Sequence, residues 1–66
     1  MTIELNIAGM NCQHCVSAVT RAIATVPGVE TVTVDLAQGL ARIEGQVDAP
    51  ALIAAVMAAG YHADPL

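Results

Sequence analysis

The sequence predicts an α+β domain of order β-α-β-β-α-β, the split βαβ or ferredoxin-like arrangement, with a four-stranded antiparallel sheet and two helices on one face. Three observations predict it. The hydrophobic period changes from two residues to three-and-four and back, twice along the chain. Proline or glycine punctuates the changes. At 66 residues the chain has the length of one domain, so residues 1–66 are expected to share a single core.

Each element has a local reason. Thr2 to Ala8 alternates, with Ile3, Leu5 and Ile7 on one face, and reads as a strand ended by Gly9 and Met10. From about Gln13, Val16, Val19, Ile23 and Val26 recur at helical spacing as one apolar stripe. Pro27-Gly28 is expected to stop that helix sharply. "VETVTVD" alternates through Val32 and Val34 and is rich in β-branched residues, as a second strand. "LAQG" is a short turn in which Gly39 can take a positive φ, and "LARIEG" follows as a third strand with Ala41 and Ile43 inward. Asp48 is placed to cap a second helix, with Pro50 in its first turn and Leu52, Ile53 and Val56 as its buried stripe. Gly60 ends it, and "YHADPL" is a brief final strand.

Composition narrows the function. The chain is 56% hydrophobic, yet Tyr61 is its only aromatic residue, so a core of small aliphatic side chains is expected. A substrate pocket of several hundred cubic ångströms is then not expected, which counts against an enzyme. Six acids face only Arg21 and Arg42, with no lysine, for a net charge of −4. That balance argues against nucleic acid or an anionic membrane surface as a partner, since both demand basic patches. No run reaches the roughly 18 apolar residues of a membrane span. "MTIELNIAGM" has neither the basic start nor the apolar run of a leader, so the cytoplasm is the expected compartment. In a reducing compartment a close cysteine pair is more often metal-binding or catalytic than a structural disulfide.

Such a pair stands in "GMNCQHC", Gly9 to Cys15. Cys15 is expected in the first turn of the first helix and Cys12 in the loop just before it. Free N–H groups and the helix dipole favour thiolates there and lower their pKa values. Two thiolates held close by a two-residue spacer suit a soft ion, above all Cu(I), which accepts two or three sulfur ligands. Structural zinc wants four ligands, and the chain offers only His14, His62 and carboxylates to complete the set.

The fold order adds a neighbourhood. The first and last strands are expected as antiparallel neighbours in the middle of the sheet, bringing Gly60, Tyr61 and His62 to the tip that carries the cysteines. Tyr61 and His62 should then face opposite ways.

"GMNCQHC" followed by "VSAVTRAIATVPGV", "VTVDLAQGLARI" and "LIAAVMAAGY" resembles the heavy-metal-associated domain family, in size the free-standing bacterial copper chaperone type. The resemblance spans essentially the whole chain. It includes the Gly-Met-x-Cys-x-x-Cys core, the Pro-Gly-Val after the first helix and the late Gly-Tyr. It implies that Cys12 and Cys15 bind Cu(I) and pass it to the metal-binding domain of a copper-transporting P-type ATPase, through intermediates that share thiolates of both proteins. It also implies Met10 as a core plug that props the loop, and Tyr61 as a shield of the site. Divalent-ion members of the family often carry an acid before the first cysteine; Asn11 there favours Cu(I).

The alternatives are a binder of zinc, cadmium or mercury, a thiol–disulfide oxidoreductase, or an N-terminal domain of the ATPase itself. An oxidoreductase of thioredoxin type would show Trp before the motif, another strand order and a longer chain. The start at Met1 and the end soon after the fourth strand favour a free protein, and the missing leader counts against an exported mercury scavenger. For Cys12 and Cys15 the plain alternative is incidental thiols or a disulfide. His14 and His62 are read first as solvated residues and second as auxiliary ligands. A copper-bridged homodimer is a further expectation, because an ion at an exposed tip can accept thiolates from a second copy.

Overall fold

The protein is described by a computed structural model of residues 1–66. Its elements follow the expected order: β1 Thr2–Ala8, α1 Gln13–Ala24, β2 Val29–Asp35, β3 Leu40–Gly45, α2 Ala49–Ala58 and β4 His62–Pro65. The four strands form one antiparallel sheet of spatial order β2-β3-β1-β4. β1 and β4 are antiparallel neighbours, as the sequence predicts, but β4 is not in the middle. It forms the edge, and β3 is the second central strand. The distinction has a physical cause: β3 pairs with β1 over five residues from Thr2↔Glu44 to Asn6↔Leu40, whereas β4 supplies four residues and ends in a proline.

Alternation along the strands sorts the two faces. Leu5, Ile7, Ala41, Ile43 and Ala63 point to one side and are buried with Val19, Ile23, Leu52 and Val56 of the helices in a single cluster. Glu4, Asn6, Arg42 and Glu44 point to the other side and are exposed. On that open face Arg42 Nε lies 3.6 Å from Glu4 Oε2, a solvated pair worth less than about 1 kcal/mol. The one concavity, a hollow of about 210 Å³ lined by Glu4, Thr33, Asp35, Leu40, Ala41 and Arg42, also lies there. Neither cysteine lines it, and it is smaller than the roughly 300–1,000 Å³ usual for small-molecule sites.

Three local expectations are corrected. α1 ends at Ala24 with Thr25 as its C-cap, so Val26 lies beyond the helix; it still packs against the core. The residue before a proline is driven out of helical geometry, and the helix therefore closes before Pro27. Asp48 occupies the N-cap of α2 with extended backbone, yet its side chain makes no capping hydrogen bond. Ile53 is half-buried, whereas Leu52 and Val56 are fully buried. Gly39 holds φ +66 in the β2–β3 turn, and its carbonyl accepts the Ile7 N–H at 2.7 Å. Gly45 is held by close approach: a Cβ there would come within 2.2 Å of the Gly28 carbonyl oxygen.

Candidate metal centre

β1 delivers the chain to the tip at Ala8, which pairs with His62 of β4. Gly9 then turns with φ +97, a conformation that costs a residue with a Cβ and costs glycine nothing. An added Cβ would meet Tyr61 Cδ1 at 3.5 Å, an ordinary van der Waals contact, so the backbone angle and not crowding calls for glycine here. Met10 is half-buried and packs against the core beneath the loop, as the plug reading requires. Cys12 is the N-cap of α1, extended at φ −161 and ψ 169. Its carbonyl accepts the N–H groups of Cys15 at 3.1 Å and Val16 at 3.3 Å, which starts the helix. Both cysteines thus stand where the sequence predicts, one before the helix and one in its first turn.

The thiols are free and their sulfurs lie 3.6 Å apart. Cys12 is exposed and Cys15 half-buried. The Cys15 thiol also lies 3.4 Å from Asn11 Oδ1, an acceptor for its proton. Cys15 is lowered from the ordinary 9.0 to about 7. The largest cause is the Asn11 backbone N–H, followed by the Tyr61 hydroxyl and the Cys12 thiol, all of which favour the thiolate against a smaller opposing effect of desolvation. Tyr61 is raised in turn, first by the interaction of its hydroxyl with Cys15, then by desolvation and the charges of Cys15 and Cys12. The Asn11 N–H of the loop and Tyr61 therefore favour this thiolate in addition to the helix start that sequence reasoning credits.

The other expected residues separate into two groups. Tyr61 is half-buried against the core, just before β4, and reaches the site. Sequence reasoning found it as a shield and missed its influence on the Cys15 thiolate. The signal available was its position after Gly60, at the start of the strand that pairs with β1. His62 faces away from Tyr61 onto the open side of the sheet, exposed, with Nε2 3.8 Å from Asp64 Oδ1. His14 is exposed in the first turn of α1. No group of three or more His, Cys, Asp or Glu side chains gathers at one place, so neither histidine joins the cysteines in this arrangement. No helix is long and apolar enough to cross a membrane.

The chain is 44% identical over 64 residues to the probable copper-transporting ATPase PacS of Synechocystis, covering 94% of this chain and 9% of that one. The chain thus spans about a tenth of the length of that relative. The solved N-terminal domain of PacS superposes with a TM-score of 0.95 at 42% identity, covering 100% of this chain and 97% of that domain. The mercuric reductase of Acidithiobacillus ferrooxidans is 42% identical over 64 residues, 94% of this chain and 12% of its own. The copper chaperone CopZ of Enterococcus hirae is 33% identical over 67 residues, 97% of each chain. The profile of the heavy-metal-associated domain matches residues 4–62. The chain belongs to the heavy-metal-associated domain family.

Proposed function

We propose that this protein is a cytoplasmic copper carrier that binds Cu(I) on Cys12 and Cys15 and hands it to the metal-binding domain of a copper-transporting P-type ATPase, without catalysing a reaction. One observation carries the reading: two free thiols 3.6 Å apart at a helix start, with no third ligand beside them. A structural zinc site closes with four ligands, and this one offers two. Two thiolates alone satisfy a soft monovalent ion.

The spacing also bears on transfer. With metal–sulfur bonds of about 2.3 Å, a linear ion needs sulfurs about 4.6 Å apart, and sulfurs at 3.6 Å subtend only about 100°. A linear ion requires Cys12 to swing outward by about 1 Å, a small movement for an exposed side chain on extended backbone. At the present spacing Cys12 and Cys15 would hold an ion from one side and leave the other free for a third thiolate. A partner's cysteine can enter on that side before either ligand of this chain leaves. The same open side accepts a thiolate from a second copy, which is the basis of a copper-bridged homodimer.

The lowering of Cys15 to about 7 reduces the proton displacement that metal binding requires at this ligand. A reducing cytoplasm keeps both thiols available. The relatives named for copper transport and the CopZ chaperone support copper as the cargo.

The mercuric reductase relative favours a second reading, carriage of a divalent soft ion such as mercury, cadmium or zinc. Asn11 in place of a carboxylate speaks for the monovalent ion, since it adds no charge to the donor set. An anaerobic Cu(I) titration of the native chain, Cys12→Ser and Cys15→Ser tests the assignment. Either serine variant is expected to lose tight binding while keeping the native far-ultraviolet circular dichroism, because Cys12 is exposed, Cys15 is half-buried and neither belongs to the core cluster. Undiminished binding by both variants would refute it. Appreciable insulin reduction by the metal-free protein would instead point to a thiol–disulfide oxidoreductase.

A further inference from the structure

The sheet has two edges, and they are guarded differently. β4 is four residues long and contains Pro65, which has no N–H to offer. β2 is seven residues long and pairs only with β3. No backbone hydrogen bond outside that pairing engages Glu30 to Asp35, so the outward N–H and C=O groups of β2 have no partner within the chain. A bulge between Val29 and Thr31 disturbs the start of the edge, and Glu30 and Asp35 stand near its ends. Between them, Thr31-Val32-Thr33-Val34 carries no charge, proline or glycine. Val32 and Val34 point to the helix side with the core, yet remain half-buried because nothing lies beyond the edge.

We propose that β2 pairs antiparallel with β2 of a second copy, joining two four-stranded sheets into one of eight strands in the metal-free protein. The strand is complementary to itself. Keeping both helix layers on one side requires residues of the same parity to face each other, so either Val32 or Thr33 meets its own counterpart on the two-fold axis. In both registers Glu30 and Asp35 are kept from facing each other or themselves: Glu30 opposes Val34 in the first, and Asp35 opposes Thr31 in the second. The odd register that would set Glu30 against Asp35 also flips the helix layers apart.

β2 runs parallel to β1, because each is antiparallel to β3. The two cysteine loops of such a dimer therefore point to opposite ends. This association uses no metal and is distinct from the copper-bridged dimer. A seam of a few residues buries less than the roughly 800 Å² per partner of a standard interface, so the dimer belongs in the weak range, with Kd between about 1 μM and 1 mM.

Sedimentation equilibrium of the Cys12→Ser/Cys15→Ser variant, which cannot bridge through metal, tests it. The apparent mass should rise from that of one 6.7 kDa chain toward twice that value as concentration increases over this range. Dilution should move the backbone amide resonances of Val29 to Asp35 while leaving β4 unmoved. Thr31→Glu/Thr33→Glu, added to that variant, should be monomeric throughout: glutamate faces glutamate across the seam in either register, and in the second the new carboxylate at position 31 also faces Asp35. The addition takes the net charge from −4 to −6, so a control of equal charge separates the edge from overall repulsion. Ala51→Glu/Ala54→Glu on exposed positions of α2, with the same net charge, should dimerise as the parent does. A monomer at every concentration up to about 1 mM, or an unchanged dimer in the Thr31→Glu/Thr33→Glu protein, would overturn the proposal.

Discussion

Replacing Tyr61 by phenylalanine isolates the hydroxyl at the metal loop. The ring that packs against the core is retained, and only the hydroxyl that favours the Cys15 thiolate is removed. With Cys15 lowered to about 7, close to half of it is thiolate at pH 7. At the ordinary 9.0 the fraction would be about 1%. Tyr61 is the second of four influences that lower this group, after the Asn11 N–H, so its loss should move the midpoint part of the way back toward 9.0. The assay is the ultraviolet thiolate absorbance of the reduced, metal-free protein against pH, paired with the rate of alkylation by iodoacetamide at pH 7. The expected result is a later midpoint and a several-fold slower alkylation of Cys15 in Tyr61→Phe, with an unchanged circular dichroism spectrum. An unaltered midpoint would refute this influence of Tyr61. A native midpoint in the ordinary thiol range would refute the activated Cys15 altogether.

Three further outcomes follow from the same geometry. His62→Ala should leave Cu(I) affinity within about twofold, since His62 faces the open side of the sheet and shares no cluster with the cysteines; a tenfold loss, about 1.4 kcal/mol, would make it a ligand. Leu5→Ala removes a fully buried side chain from the centre of the core and should cost about 2–5 kcal/mol in denaturant unfolding, a large share of the stability of so small a domain. A loss below about 1 kcal/mol would place the core elsewhere. Because the folded pKa of Cys15 is depressed, its contribution to metal-free stability is present above the unfolded pKa and is lost as pH falls through about 7. The melting temperature of the native protein, relative to Cys15→Ser, should accordingly fall on going from pH 9 to pH 6, and an identical pH profile for the two proteins would contradict it.

What the sequence made legible was local. Alternation in Thr2–Ala8 and Leu40–Gly45, the helical stripe of Val16, Val19 and Ile23, and the turn at Gly39 each report their own segment's environment, and the element order follows from them. The position of β4 at the sheet edge was not legible, because alternation states which face is buried and not which strand lies outermost. Val26 shows a related limit: an apolar residue at helical spacing packs on the core from outside the helix. At the site, helix-start placement of the cysteines was legible from "GMNCQHC" and its following stripe. The influence of Tyr61 on the Cys15 thiolate was not, since it depends on the pairing of β4 with β1 that brings a distant part of the chain to the cysteine tip.

The proposed role rests on a two-thiolate site left open for a third ligand from a partner. An anaerobic competition of Cu(I) and Zn(II) for the native chain, with the complexes weighed by native mass spectrometry, tests it most directly. The expected result is Cu(I) displacing Zn(II), with one ion on one chain or an ion shared between two, and both species absent from Cys12→Ser and Cys15→Ser. Preference for Zn(II) over Cu(I), or copper retained by the serine variants, would contradict it.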